Sequence, residues 1–148
     1  MNVYLGGWTS TAKLLISKGA DINAVTIVGR TPLMYAVEFL NGSMVEALAF
    51  GKDIHIDAAD ADGLTALLIA VELAKDEGGL EIAMELMKVI LDAGANPNCM
   101  SHRKKTPLLL ACDMQCVELI EMLFDFNVQR DPNALALLQG LCICYMHV

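Results

Sequence analysis

Cys112 and Cys116 stand four residues apart in TPLLLACDMQC, a spacing that puts both sulfurs on one face of a helix. With Cys99 or His102 approaching from the preceding turn, such a group could hold zinc. A zinc site needs four ligands in tetrahedral array, typically a C-x2-4-C pair joined by a second pair. No second pair stands at ligand spacing here, so the cysteines are assigned to packing, where a thiol behaves as a small hydrophobe. The other chemistry open to these residues is nucleophilic. His102 acting on Cys99 or Cys112 would need a third group to orient the imidazole and donors for an oxyanion, and nothing in the sequence points to one. His55 and His102 fall in turns, where a solvated or turn-bonding role is expected. Neither G-x-x-x-x-G-K-[ST] nor G-x-G-x-x-G occurs, and Gly78-Gly79 alone cradles no phosphate. The expectation is a chain with no catalytic group, no bound metal and no cofactor.

The elements that position these residues follow from composition and repetition. The chain has 148 residues, one domain's worth, and is 55% hydrophobic but only 5% aromatic. Its apolar mass is therefore Leu, Ala, Ile, Val and Met, which favours helices packed on helices. A net charge of −8 argues against nucleic acid, whose affinity rests on Lys and Arg releasing counterions. No basic segment followed by a long apolar core opens the sequence, and no apolar run is long enough to suggest membrane insertion. Five cysteines, an odd number crowded into the last third, do not read as a disulfide framework; reduced thiols in a cytoplasmic or nuclear setting fit them better.

TPLMYAV (31–37), TALLIAV (65–71) and TPLLLAC (106–112) match in order. Eight residues before each Thr stands a turn-forming side chain: Asn23, Asp57 and Asn98. Before those lie KLLISKGADIN, a worn copy ALAFGKDIHID, and KVILDAGANPN. Thr31, Thr65 and Thr106 sit where a helix N-cap is wanted, and Pro32 and Pro107 follow at the first helical position, where the missing N–H costs nothing. Gly19 and Gly94 close the second helices, where a left-handed backbone suits a residue without Cβ.

This unit of turn, Thr-Pro-Leu helix and second helix ending in Gly resembles the ankyrin repeat, whose signature is T-P-L-H-x-A in a 33-residue unit. The resemblance implies an all-α solenoid of stacked helix pairs joined by β-turn fingers, as one domain over 1–148. Counting back from Asn23, residues 1–23 match the second part of a repeat. Complete repeats run about 24–57, 58–98 and 99–133, and 134–148 make a partial repeat or tail. Leu14, Leu15, Leu33, Ala36, Leu67, Ala70, Val89, Ile90, Leu108, Ala111 and Leu119 are the expected core.

Three departures stand out. The Thr-to-Thr spacings are 34 and 41, so the second repeat carries about eight extra residues between Val71 and Glu85, read as a longer first helix and a protruding loop broken by Gly78-Gly79. Met34, Leu68 and Leu109 replace the signature His that fastens the turn in the resembling family. The ends are unusual too: Leu135, Leu137, Leu138, Leu141, Ile143 and Tyr145 make the last segment apolar. Arrays need polar outer faces at their ends, so this segment either caps the third repeat or the array continues in a longer protein.

In the resembling family the groove face falls on the fifth, eighth and ninth residues from the Thr. That gives Tyr35, Glu38 and Phe39, then Ile69, Glu72 and Leu73, then Leu110, Asp113 and Met114, an apolar, acidic, apolar pattern in every repeat. DAADAD (57–62) and HRKK (102–105) place an acidic and a basic turn side by side, about 10 Å apart. The implied function is a non-catalytic protein-protein interaction module, a scaffold or adaptor. Its groove would bind a basic amphipathic segment anchored by Tyr35, Phe39 and Leu73, with Asp60 and Asp62 steering it, unless the second-repeat insertion or the apolar tail covers that face. The alternative is a regulatory or anchoring segment of a larger multidomain protein, acting in cis. Because the cysteines are assigned to packing, adding zinc or a chelator should leave the melting temperature unchanged. A clear shift on chelation would reveal metal-linked folding and reverse the assignment.

Overall fold

The computed structural model describes residues 3–76 and 78–130, with side chains over 9–127 apart from residue 77. The expected capping of the third repeat by the apolar segment after Arg130 lies outside the described residues. The described residues form seven helices, in order α1 (Val3–Ser17), α2 (Pro32–Glu38), α3 (Gly42–Ala49), α4 (Ala66–Leu73), α5 (Gly79–Asp92), α6 (Pro107–Asp113) and α7 (Val117–Arg130). Among the described residues there is no strand, only an isolated bridge between Ala59 and Thr65. The chain is all-α, as the repeat implied. Nor is any described helix long and apolar enough to cross a membrane.

Helices α2 and α3, α4 and α5, and α6 and α7 form antiparallel pairs. The first helix of each pair stacks on the next, α2 on α4 and α4 on α6, while the second helices stack as α1 on α3 and α3 on α5. We call the two rows inner and outer. Helix α1 is an outer helix that has no inner partner among the described residues. The start of every inner helix is fixed as its sequence predicts: the hydroxyls of Thr31, Thr65 and Thr106 accept from the N–H of Met34, Leu68 and Leu109 at 3.3, 3.4 and 3.2 Å. Met34, in the place of the signature His, partly replaces it, since its sulfur accepts from the Thr31 N–H at 3.5 Å.

Ahead of each inner helix the chain makes a short finger, closed at 26–30, 60–64 and 101–105 by paired backbone bonds such as Asp60 N–H to Leu64 C=O and Gly63 N–H to Asp60 C=O. The fingers join by one backbone bond each: Ala61 N–H to Val28 C=O and His102 N–H to Asp62 C=O, both 3.0 Å. Gly63, at φ +76°, lies so close to His102 that a Cβ would sit 2.7 Å from its backbone nitrogen. The side chains eight residues before the Thr do more than turn the chain. Asn23 donates to the Asp53 carbonyl and accepts from the His55 N–H, and Asp57 accepts from the Asn96 N–H, so each ties one repeat to the next.

Two expectations are corrected. The extra residues of the second repeat do not lengthen its first helix: α4 ends at Leu73, much as α2 and α6 end, and the surplus goes into a loop and a 14-residue α5 against 8 residues for α3. Gly78 enters α5 in the left-handed region at φ +76°, and a Cβ on Gly79 would strike the Leu73 carbonyl, so the second glycine lets the chain fold back tightly against the end of α4. Leu14 and Leu15 are 57% and 55% exposed, as no inner helix lies in front of α1 among the described residues. The other expected core residues are buried, with Val89 half-buried at the core's edge.

Leu67 is 1% exposed in the first turn of α4, the middle inner helix. Leu67→Ala should lower unfolding free energy by about 2–5 kcal/mol in chemical denaturation. A loss under about 1 kcal/mol would mean that the stack can collapse around the missing atoms.

Candidate protein-binding surface

The positions on each inner helix sort into faces once the stack is known. Pro32, Tyr35, Ala36 and Phe39 line a groove at the start of the stack, beside α1. The equivalents on α4 are Ala66, Ile69, Ala70 and Leu73, and on α6 Pro107, Leu110, Ala111 and Met114; all are buried or half-buried. The second, fifth, sixth and ninth residues from the Thr are therefore the stacking stripe, turned towards the preceding repeat. This corrects the expected groove face: Ile69 (6% exposed) and Leu110 (5%) are core, and Leu73 and Met114 pack against that core. Among the described residues no inner helix is stacked in front of α2, and there Tyr35 is half-buried and Phe39 exposed. Their rings stack on one another, with centroids 6.4 Å apart and planes 15° apart.

The acidic residues at the eighth position remain at the surface, but two of the three are already neutralised. Glu38 accepts from Arg30 at 2.6 Å and Asp113 from Lys105 at 2.5 Å. Arg30 and Lys105 both directly precede their Thr, a spacing of eight that the acidic pattern alone did not disclose. In the second repeat that place is held by Leu64, and among the described residues Glu72 makes no ion pair. Glu72 lies with Asp62, Lys75, Arg103, Lys105 and Asp113 around an open groove of about 400 Å³ between the second and third repeats.

Asp60 is not a steering charge. It is 7% exposed, its Oδ1 accepts from the N–H groups of Asp62 and Leu64 at 2.9 Å each, and its Oδ2 meets Arg30 at 3.4 Å. It shapes its own finger and ties it to the one before. Arg30 thus bridges Glu38 and Asp60 and lies 6.0 Å from the centre of the Tyr35 ring. The hydrogen bond to Glu38 chiefly holds its guanidinium above the ordinary value, with Asp60 adding to the effect and burial opposing it. Asp62 stays exposed at the tip of the acidic finger, beside the basic one.

Cys99 and Cys116 sit in surroundings that disfavour the thiolate. Burial pushes the Cys99 thiol up, partly offset by a 3.2 Å contact with the Thr65 hydroxyl. Cys116 is raised by burial too, and its Sγ donates to Glu118 at 3.4 Å. Cys112 is buried on α6. A nucleophilic cysteine needs the opposite environment.

The helix pairs, capped starts and joined fingers agree with the sequence comparison. The family model for ankyrin repeats, in three copies, matches residues 3–83, more than half of the chain. The chain belongs to the ankyrin-repeat family. It is similar to Rabankyrin-5 of Homo sapiens, 34% identical over 65 residues, 44% of this chain and 6% of that protein. It is 28% identical over 135 residues to the ankyrin repeat and KH domain-containing protein mask-1 of Caenorhabditis elegans, 90% of this chain and 5% of that protein. To the putative ankyrin repeat protein YahD of Escherichia coli strain K12 it is 29% identical over 111 residues, 75% of this chain and 54% of that protein. The chain thus spans about one-twentieth of the first two relatives and about half of the third. Ankyrin repeats generally mediate protein-protein interaction and are typically non-catalytic.

Arg30→Met would leave the buried Asp60 carboxylate without its cation and should cost about 1–3 kcal/mol. Glu38→Gln, which breaks only the exposed half of the bridge, should cost less than about 1 kcal/mol. Equal losses in the two variants would show that Asp60 does not depend on Arg30.

Proposed function

We propose that this ankyrin chain is a non-catalytic scaffold or adaptor of the cytoplasm or nucleus that holds a segment of another protein in the groove between its second and third repeats. The observation that carries the reading is Glu72. Its equivalents are each paired with a cation eight residues upstream, whereas Leu64 holds that place in the second repeat and Glu72, at the edge of an open groove, makes no ion pair among the described residues. A carboxylate so placed favours a Lys or Arg of the partner, with Asp62 close by to add attraction. The apolar side chains of that segment would lie against Leu64, while Arg103 and Lys75 reject a uniformly basic partner and set its orientation. The acidic net charge of the chain supports the same polarity by favouring approach of a basic segment.

A second reading, a regulatory or anchoring ankyrin segment acting in cis, is supported by the lengths of the relatives, of which Rabankyrin-5 and mask-1 extend far beyond the aligned repeats. In that case the groove would hold a segment of the same polypeptide, with the same chemistry.

Selection from a displayed peptide library separates a groove of this kind from an inert surface. The wild-type chain should enrich segments that combine a Lys or Arg with apolar residues, and Glu72→Lys should weaken the best of them at least about tenfold at unchanged melting temperature. Enrichment of acidic segments, or binding indifferent to Glu72→Lys, would overturn the assignment.

A further inference from the structure

The two boundaries between fingers are built from the same positions and filled differently. At the first, Arg30 stands directly before Thr31 and reaches Glu38, the eighth residue from that Thr, at 2.6 Å, and Asp60, five residues before Thr65, at 3.4 Å. At the second, the same positions hold Leu64, Glu72 and Ser101. Asp60 and Ser101 correspond in structure as well as in count. Each opens its finger, and each side chain accepts from the N–H of the residue before the Thr, Leu64 at 2.9 Å and Lys105 at 3.3 Å. The guanidinium that fills the first boundary thus has no counterpart at the second, and Leu64, Leu68, Glu72 and Ser101 line the groove of about 400 Å³ there.

We propose that this groove takes an arginine of the partner segment, whose guanidinium occupies the place that Arg30 occupies one repeat earlier. The inference rests on the groove reading above and narrows its cation to an arginine. Both acceptors are in place. Glu72 is half-buried and makes no ion pair among the described residues. Ser101 is 5% exposed, and its hydroxyl spends one lone pair on the Lys105 N–H and keeps the second. The two belong to different repeats, so the cation must span them. Arg30 does so with two nitrogens, Nη1 to Glu38 and Nε to Asp60, a geometry that suits a planar fork better than a single ammonium on a flexible stem. The methylene stem would lie on Leu64 and Leu68. The exchange of Asp60 for Ser101 suits a cation that comes and goes: a buried carboxylate needs its cation at all times, whereas a neutral hydroxyl tolerates an open groove. The chain's own cations do not take the place, since Arg103 and Lys75 line the groove and, among the described residues, neither pairs with Glu72.

Capped amino acids test the site without a partner. Nα-acetyl-arginine methylamide, titrated against the full chain, should shift the backbone amide signals of Leu64, Glu72 and Ser101 saturably. It should bind at least about threefold more tightly than the lysine analogue, and the uncharged citrulline analogue should shift none of them. Leu64→Arg supplies the guanidinium from the chain itself, as Arg30 does, and should abolish both these shifts and the capture of selected peptides at an unchanged or higher melting temperature. Ser101→Asp alone should lower the melting temperature, and adding Leu64→Arg should restore it. Lysine bound as tightly as arginine, shifts that survive Leu64→Arg, no saturable shift at all, or a double variant no more stable than Ser101→Asp would each overturn the arginine site. Enrichment of basic segments that depend on Glu72 would then still leave the groove reading standing. Peptide binding indifferent to Glu72→Lys removes the groove reading and the arginine site together.

Discussion

The structure depends on one constraint: a two-turn helix cannot bury its apolar side alone. The inner helices have seven or eight residues, well short of the length at which an isolated helix holds together in water. Their stability comes from the stripe at the second, fifth, sixth and ninth positions lying against the repeat before, and from the outer helix behind. In such an array each repeat contacts only its neighbours, so the contribution of any side chain depends on whether the next repeat is present. The same position is core in Ile69 and half-buried in Tyr35, which has no described inner helix in front of it.

Register between repeats is set by polar groups, each used across a boundary. Asn23 and Asp57 reach backbone groups of the following repeat, Arg30 reaches Asp60, and the Thr65 hydroxyl meets the Cys99 sulfur. None of these contacts needs to be strong. A stack of apolar stripes could slide or tilt with little penalty, whereas a buried carboxylate such as Asp60 is satisfied in one arrangement and left without its cation in others. Residues that look like a charged surface in the sequence therefore act as spacers between repeats.

Helix starts, helix ends and the repeat itself were legible, because Thr at the N-cap, Pro after it and Gly at the close act locally and read the same in any neighbourhood. The face assignment was not. Counting positions from the Thr tells which residues share a side of a helix, but not whether that side meets a neighbour or solvent, and the apolar identity of Ile69 and Leu110 already fitted burial better than a groove. The insertion was misread for a related reason. Eight extra residues amount to about two helical turns and Gly78-Gly79 is the first breaker in the sequence, whereas the chain leaves α4 at Leu73 and folds back so that Gly79 meets the Leu73 carbonyl. The neutralisation of Glu38 and Asp113 was readable in principle, since a cation eight residues upstream occurs in both repeats and is missing in the second.

Where three copies of a unit obey one rule, the exceptions carry the individual character of the chain. Thr, Leu and Ala recur because the stack demands them, and they say nothing about a partner. Leu64 breaks the pairing of cation and acid without any gain in packing that the other repeats lack, since it is itself only half-buried. Among the described residues helix α1 likewise has no inner helix beside it, and the stripe of α2 is left uncovered. Each exception removes a partner that the molecule supplies to itself elsewhere. The unpaired carboxylate and the uncovered stripe are thus two vacancies of different chemistry, one polar and on the groove side, the other apolar and at the end.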